Sequence, residues 1–215
     1  MTLVFIAVTW VISLCCHEFA HAIVAYRGGD TSVKAKGYLT FNPLKYAHPV
    51  YSLLYPMIFL LAGGIGLPGG AVYIDRSRLR SAGWESAVSL AGPAANAVCA
   101  VLLSLPFLLG NLSSGAGWFP PCLAFAVVLQ VSSVLLNLIP VPPLDGFGAI
   151  TPWLPAHLRR LGSDGSGIGM MAVFIVMSYV RPVNRAFWDL VFGLSALLGV
   201  PATLALEGQS AFRIW

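Results

Sequence analysis

Charge is what this sequence lacks. Among 215 residues there are twelve Lys and Arg and eight Asp and Glu, 9% together, while 58% are hydrophobic, a balance that excludes an ordinary soluble domain. Cysteine is scarce and unpatterned. Cys15, Cys16, Cys99 and Cys122 fall in or beside apolar runs without a C-x-x-C pair, so they read as small apolar residues and no disulfide framework is implied. Internal repeats, low-complexity tails and soluble domains are also missing; the longest polar stretches, residues 27–45 and 75–85, read as loops. The formal charge of +4 therefore gives no reason to expect a nucleic acid partner. In a bilayer the distribution of Lys and Arg matters more than their sum.

What is present is length without charge. Residues 1–16, 46–74 (broken only by His48), 86–144, 165–180 and 190–206 carry no Asp, Glu, Lys or Arg, and several reach the ~20 residues that cross a bilayer. The run 86–144 must hold two crossings, because residues 110–121 between its halves are rich in Gly, Ser and Pro. At the N-terminus no basic residue precedes the apolar run, which continues through Tyr26, so a full-length helix is expected there and not a signal peptide. The expected fold is an all-α membrane protein: a polytopic helix bundle of about five to six spans with a re-entrant or β-hairpin segment at residues 30–75.

One of these apolar runs carries ionisable groups. In "SLCCHEFAHAIVAY", residues 13–26, His17, Glu18 and His21 interrupt a lipid-compatible helix. Positions four apart lie on one helix face, so two imidazoles converge on one point. H-E-x-x-H on a helix is a zinc-protease pattern in which the Glu serves as general base, and ionisable groups inside a span are costly unless paired or functional. A catalytic zinc usually takes a third protein ligand. Asp30, Asp75 and Glu85 lie in charged loops, Asp164 in a Gly/Ser linker, and Asp189 and Glu207 near the ends of the last apolar run. Asp145 differs. It closes the long charge-free run in "NLIPVPPLDG", residues 137–146, where prolines free backbone groups at membrane depth, which is tolerated only in a protein-lined or wet cavity.

Together, "HEFAHA", "SLAGPAANAV" (residues 89–98) and "NLIPVPPLDG", in that order, resemble the core of the site-2 protease family of intramembrane zinc metalloproteases, in a minimal form without a PDZ-like or CBS-like domain. The resemblance runs from about residue 2 to residue 155. It implies a metalloprotease core over residues 1–155 followed by C-terminal membrane helices over 156–215, one zinc held by His17, His21 and Asp145, and Glu18 as the activator of water. It also points to Asn137 as a group that binds the scissile peptide or its oxyanion, with interhelical hydrogen bonding as the alternative. Asn96, four residues beyond Gly92, is read both as helix-packing glue and as a candidate substrate contact, with Gly92 permitting close approach of the first core span. His48 is a spare ligand or an interfacial residue. The family usually reads L-D-G-G, and Phe147 stands here in place of the second glycine, which bears on the backbone just after Asp145.

Topology adds a constraint. For His17, His21 and Asp145 to meet, an even number of crossings must separate them, so residues 46–74 must enter and return. Pro49, Pro56 and "GGIGLPGG" (residues 63–70) favour return. Residues 27–85 then share one side with Arg159 and Arg160, gathering nine of the twelve basic residues, which makes that side cytoplasmic. The β-rich pieces "SVKAKGYLTF" (residues 32–41) and "GAVYI" (residues 70–74), including Val72, are expected to form an edge that catches an extended substrate. The functional expectation is a multi-pass cell-membrane enzyme that hydrolyses peptide bonds in or near transmembrane segments of membrane-protein substrates, with its site toward the cytoplasmic leaflet. Alternatives are a metal-binding membrane transporter and a protease-like protein that binds substrates without cutting them.

Overall fold

The computed structural model describes residues 1–45, 72–112, 117–160 and 166–212, and among them every regular element is helical. Three helices are long and apolar enough to cross a membrane: α1 (Thr2–Gly28), α3 (Ala82–Leu108) and α4 (Phe119–Asn137). At 1.5 Å per residue, the 27 residues of α1 and α3 span about 40 Å, longer than the ~30 Å hydrocarbon layer. Between α1 and α3 lies the single turn α2 (Ser32–Ala35). Beyond α4 come α5 (Asp145–Ile150), α6 (Ala156–Arg159), α7 (Ser166–Tyr179), α8 (Arg181–Leu197) and α9 (Ala202–Phe212).

The central helix is α4. It is predominantly apolar, with its few polar side chains buried, and most of its residues are enclosed, as expected of a helix that lacks a solvent-facing polar side. Ala124, Val127 and Val128 pack against Val191 of α8 and Leu204 and Ala205 of α9, while Cys122, Phe125 and Leu129 meet Ile6 of α1 and Phe212 of α9. Backbones come close where a side chain is missing: a Cβ on Gly208 would collide with the carbonyl of Pro121. Small residues play this part in membrane bundles because apolar surface alone gives no drive for helices to associate in lipid. Polar side chains join α1, α3 and α4. The Ser13 hydroxyl donates to Gln130 Oε1 and lies 3.4 Å from Asn96 Oδ1, and the Asn96 amide donates to Ser133 Oγ at 2.8 Å.

Both ends of the gap between α1 and α3 lie on one side of the bundle. Arg80 N–H donates to the Gly28 carbonyl at 2.9 Å, and Lys36 Nζ donates to the Tyr73 carbonyl at 3.2 Å. The described flanks of the gap are thus joined to each other at that end. Residues 46–71, with His48 and the glycine-rich run, lie outside the described residues.

Two expectations need correction. Residues 32–41 do not form a strand: Ser32–Ala35 is a helical turn, started by Asp30, whose side chain accepts from Ser32 N–H and Ser32 Oγ. That local bond outweighs the β preference of Val33. Val72–Ile74 is likewise irregular. The apolar run 190–206 is also no single straight span. Gly199, at φ 75°, and Pro201 break it, and α8 and α9 meet at 117°. With α7 only 14 residues long, three crossings stand among the described residues, or four if the bent pair counts as one.

Candidate metal centre

Helical spacing puts His17 and His21 on the face of α1 turned toward α3, with ring centroids 4.6 Å apart. The two Nε2 atoms lie 3.0 Å from each other. Asp145, at the first position of α5, brings Oδ2 to 3.2 Å from His17 Nε2 and Oδ1 to 3.4 Å from His21 Nε2. His21 Nδ1 is 2.6 Å from the Val88 carbonyl; Nδ1 donates there, so the neutral ring presents Nε2 to the centre as a bare lone pair.

Two ring nitrogens and a carboxylate thus face one another, and both His17 Nδ1 and Asp145 Oδ2 are buried without a hydrogen bond; with each neutral ring protonated at Nδ1, all three present lone pairs to one point. One proton could bridge only one of these contacts, whereas a divalent cation satisfies all three. Zinc bonds of about 2.0–2.2 Å to nitrogen and oxygen imply ligand separations of about 3.3–3.6 Å in a tetrahedral site, within a few tenths of an ångström of those observed. The α3 backbone leaves the room: a Cβ on Gly92 would strike His21 Nε2 and lie 2.5 Å from His17 Nε2. His17, His21 and Asp145 could therefore hold a metal ion.

Glu18 adjoins this cluster and is only 4% exposed. Its Oε2 accepts the Val72 N–H at 3.1 Å. The cluster, Glu18, Val72, Ser89, Asn137 and Arg76 line one cavity of about 300 Å³.

Comparison with known proteins agrees with this geometry. The chain is 43% identical to "Putative zinc metalloprotease Rip2" of Mycolicibacterium smegmatis, over 96% of its own length and 78% of that protein's. It is 39% identical to the protein of the same name from Mycobacterium tuberculosis, with the same coverage, and 32% identical to "Putative zinc metalloprotease YwhC" of Bacillus subtilis, over 87% of this chain and 85% of the relative. The chain belongs to the site-2 protease family. No family model and no solved structure matches it.

The other residues expected to serve this site-2 protease separate into two groups. Asn137, the last residue of α4, lines the cavity, and one of its amide hydrogens is held by the Ser133 carbonyl at 3.0 Å. Asn96 does not line the cavity. Its side chain is engaged with Ser133 and Ser13 between helices, the packing arrangement that Gly92 allows. Val72 lines the cavity; its N–H donates to Glu18, and the Tyr73 carbonyl accepts from Lys36.

Phe147 is accommodated where the family usually has glycine. Gly146 lies against the Leu138 carbonyl and Gly148 against Ser89, each too close for a Cβ, whereas Phe147 is buried in a continuous helical turn. Two contributors had no visible signal in the sequence. A backbone carbonyl such as that of Val88 carries no residue signature. Arg76, which pairs with Glu85 at 2.7 Å, reads as one of many loop cations.

Proposed function

We propose that this chain is a zinc metalloendopeptidase that hydrolyses peptide bonds in or near transmembrane segments of membrane-protein substrates, as in regulated intramembrane proteolysis. The observation that carries the reading is the convergence of His17 Nε2, His21 Nε2 and the Asp145 carboxylate beside Glu18, in a cavity walled by membrane-length apolar helices. Zinc held there supplies Lewis acidity at neutral pH, the chemistry that lets water attack a carbonyl. Glu18 takes the proton from the attacking water and returns it to the leaving amine, while the Val72 N–H fixes its Oε2. Asn137, at the cavity wall, orients the scissile peptide. Because a helical segment keeps its carbonyls hydrogen-bonded internally, the substrate unwinds locally to reach the cavity.

The membrane orientation follows from charge. The loops that meet at the site end, tied by Arg80 to Gly28 and by Trp153 Nε1 to Ser86 Oγ at 2.9 Å, carry nine of the twelve basic residues. That end is cytoplasmic by the positive-inside rule, and the bilayer and a membrane-anchored substrate are the partners.

The test compares wild type and Glu18→Gln, purified in detergent, on a membrane-segment substrate. Glu18→Gln is expected to keep one zinc per chain and to lose cleavage by about 10²–10⁴-fold; a chelator silences the wild type and zinc restores it. Zinc flux across vesicles that survives Glu18→Gln, with no cleavage by the wild type, would mark a transporter instead.

A further inference from the structure

Asp30 is fully buried, yet no cation pairs with it among the described residues. A buried carboxylate of this kind is costly unless several donors satisfy it. Here three do. Oδ1 accepts from Ser32 N–H at 2.9 Å and Ser32 Oγ at 2.6 Å, and Oδ2 accepts from Asp75 N–H at 2.8 Å. The first two bonds are local. The third reaches 45 residues along the chain and fastens the segment that follows residue 71 to the end of α1.

The surroundings are shaped for the same attachment. Gly29, at φ 122°, has no space for a Cβ because the Arg78 carbonyl would lie 2.6 Å away, and Arg80 N–H is held by Gly28. The segment is thus anchored at Asp75 and Arg80, steadied at Tyr73 by Lys36, whose ammonium lies 4.4 Å from the Tyr73 ring centre, and ends with the Val72 N–H on Glu18.

We propose that Asp30 is a positioning residue for Glu18: through Asp75 it fixes the chain direction of Val72–Asp75, and thereby the amide that holds the carboxylate at the metal cluster. This rests on the protease reading only for its catalytic consequence. The tether itself can be measured without turnover. An Asn at position 30 could not replace it, because its single acceptor oxygen cannot serve both Ser32 and Asp75, and its NH₂ would face an N–H.

The experiment measures amide-resolved hydrogen exchange on the full chain in detergent for wild type, Asp30→Asn and Ser32→Ala. Asp30→Asn is expected to speed exchange at Val72 as well as at Asp75 while zinc content stays at one per chain. Ser32→Ala leaves the Asp75 link intact and leaves Val72 protected. If Asp30→Asn does not fold, Asp75→Pro removes the same bond from its other partner and is read at Val72 in the same way. Val72 protection equal to wild type after loss of this bond overturns the proposal. In cleavage, Asp30→Asn is expected to lower kcat about 10–100-fold with little change in KM, and to be non-additive with Val72→Pro, which removes the terminal N–H; additive losses would place Asp30 outside this relay. A wild type that cleaves nothing would refute the protease reading and leave the exchange result standing.

Discussion

Gly92→Ala is a small change that acts directly on the two imidazoles of the centre. The added Cβ would meet His21 Nε2 head-on and lie 2.5 Å from both Cε1 and Nε2 of His17. Ordinary contact for such a carbon begins near 3.4 Å, so one helix or both rings must shift by about 1 Å. Overpacking of this size costs about 1–3 kcal/mol, and metal sites tolerate only about 0.2 Å of error in their bond lengths. If the cluster absorbs the strain, zinc affinity falls about 5–150-fold. The assay is competition with a calibrated chelator on purified protein, with zinc per chain read by mass spectrometry. Helix propensity works the other way, because Ala is better than Gly by about 1 kcal/mol in a soluble helix interior, so a loss cannot be blamed on a weakened α3. Gly193→Ala serves as the control, since nothing lies within 4 Å of its added Cβ. Wild-type zinc affinity in Gly92→Ala would refute the argument that the backbone of α3 lies directly against the two imidazoles.

Asn96→Leu should act on stability and leave the chemistry in place: losing the contacts to Ser13 and Ser133 is expected to cost about 0.6–1.7 kcal/mol, read as a lower thermal midpoint in detergent with zinc content unchanged. Single cysteines at Thr40 and Arg78, in a chain with the four native cysteines replaced, should label from the same face of sealed vesicles. Labelling from opposite faces would break the even-crossing topology.

How legible the site was depended on what kind of group carried it. His17 and His21 were readable because helical spacing alone aligns them, and Asp145 because it ends a charge-free run among prolines. Gly92 was readable as a close approach, although the sequence alone did not say that the imidazoles themselves occupy the space. Residues 32–41 misled through β propensity: the buried Asp30 side chain organises Ser32–Ala35 into a turn, and beside it the Val72 N–H donates to Glu18 and the Tyr73 carbonyl accepts from Lys36. The C-terminal part was harder for another reason. Arg181, Arg185 and Asp189 recur at helical spacing on α8, and that amphipathic helix joins α9 through a break that a count of charge-free residues does not register.

The position of the cluster in the bundle follows from where its residues and their neighbours sit on their helices. Val88 lies six residues into α3, about 9 Å along its axis, and Asn137 is the last residue of α4. The cluster therefore sits near one end of the bundle. About one helical turn deeper, Ser13 and Asn96 meet Gln130 and Ser133, and none of these four lines the cavity. Ser13 donates to Gln130 and the Asn96 amide donates to Ser133, so this layer ties α1, α3 and α4 together. Polar contacts of this kind hold the three helices in register, and that register places His17 and His21 against Gly92 of α3.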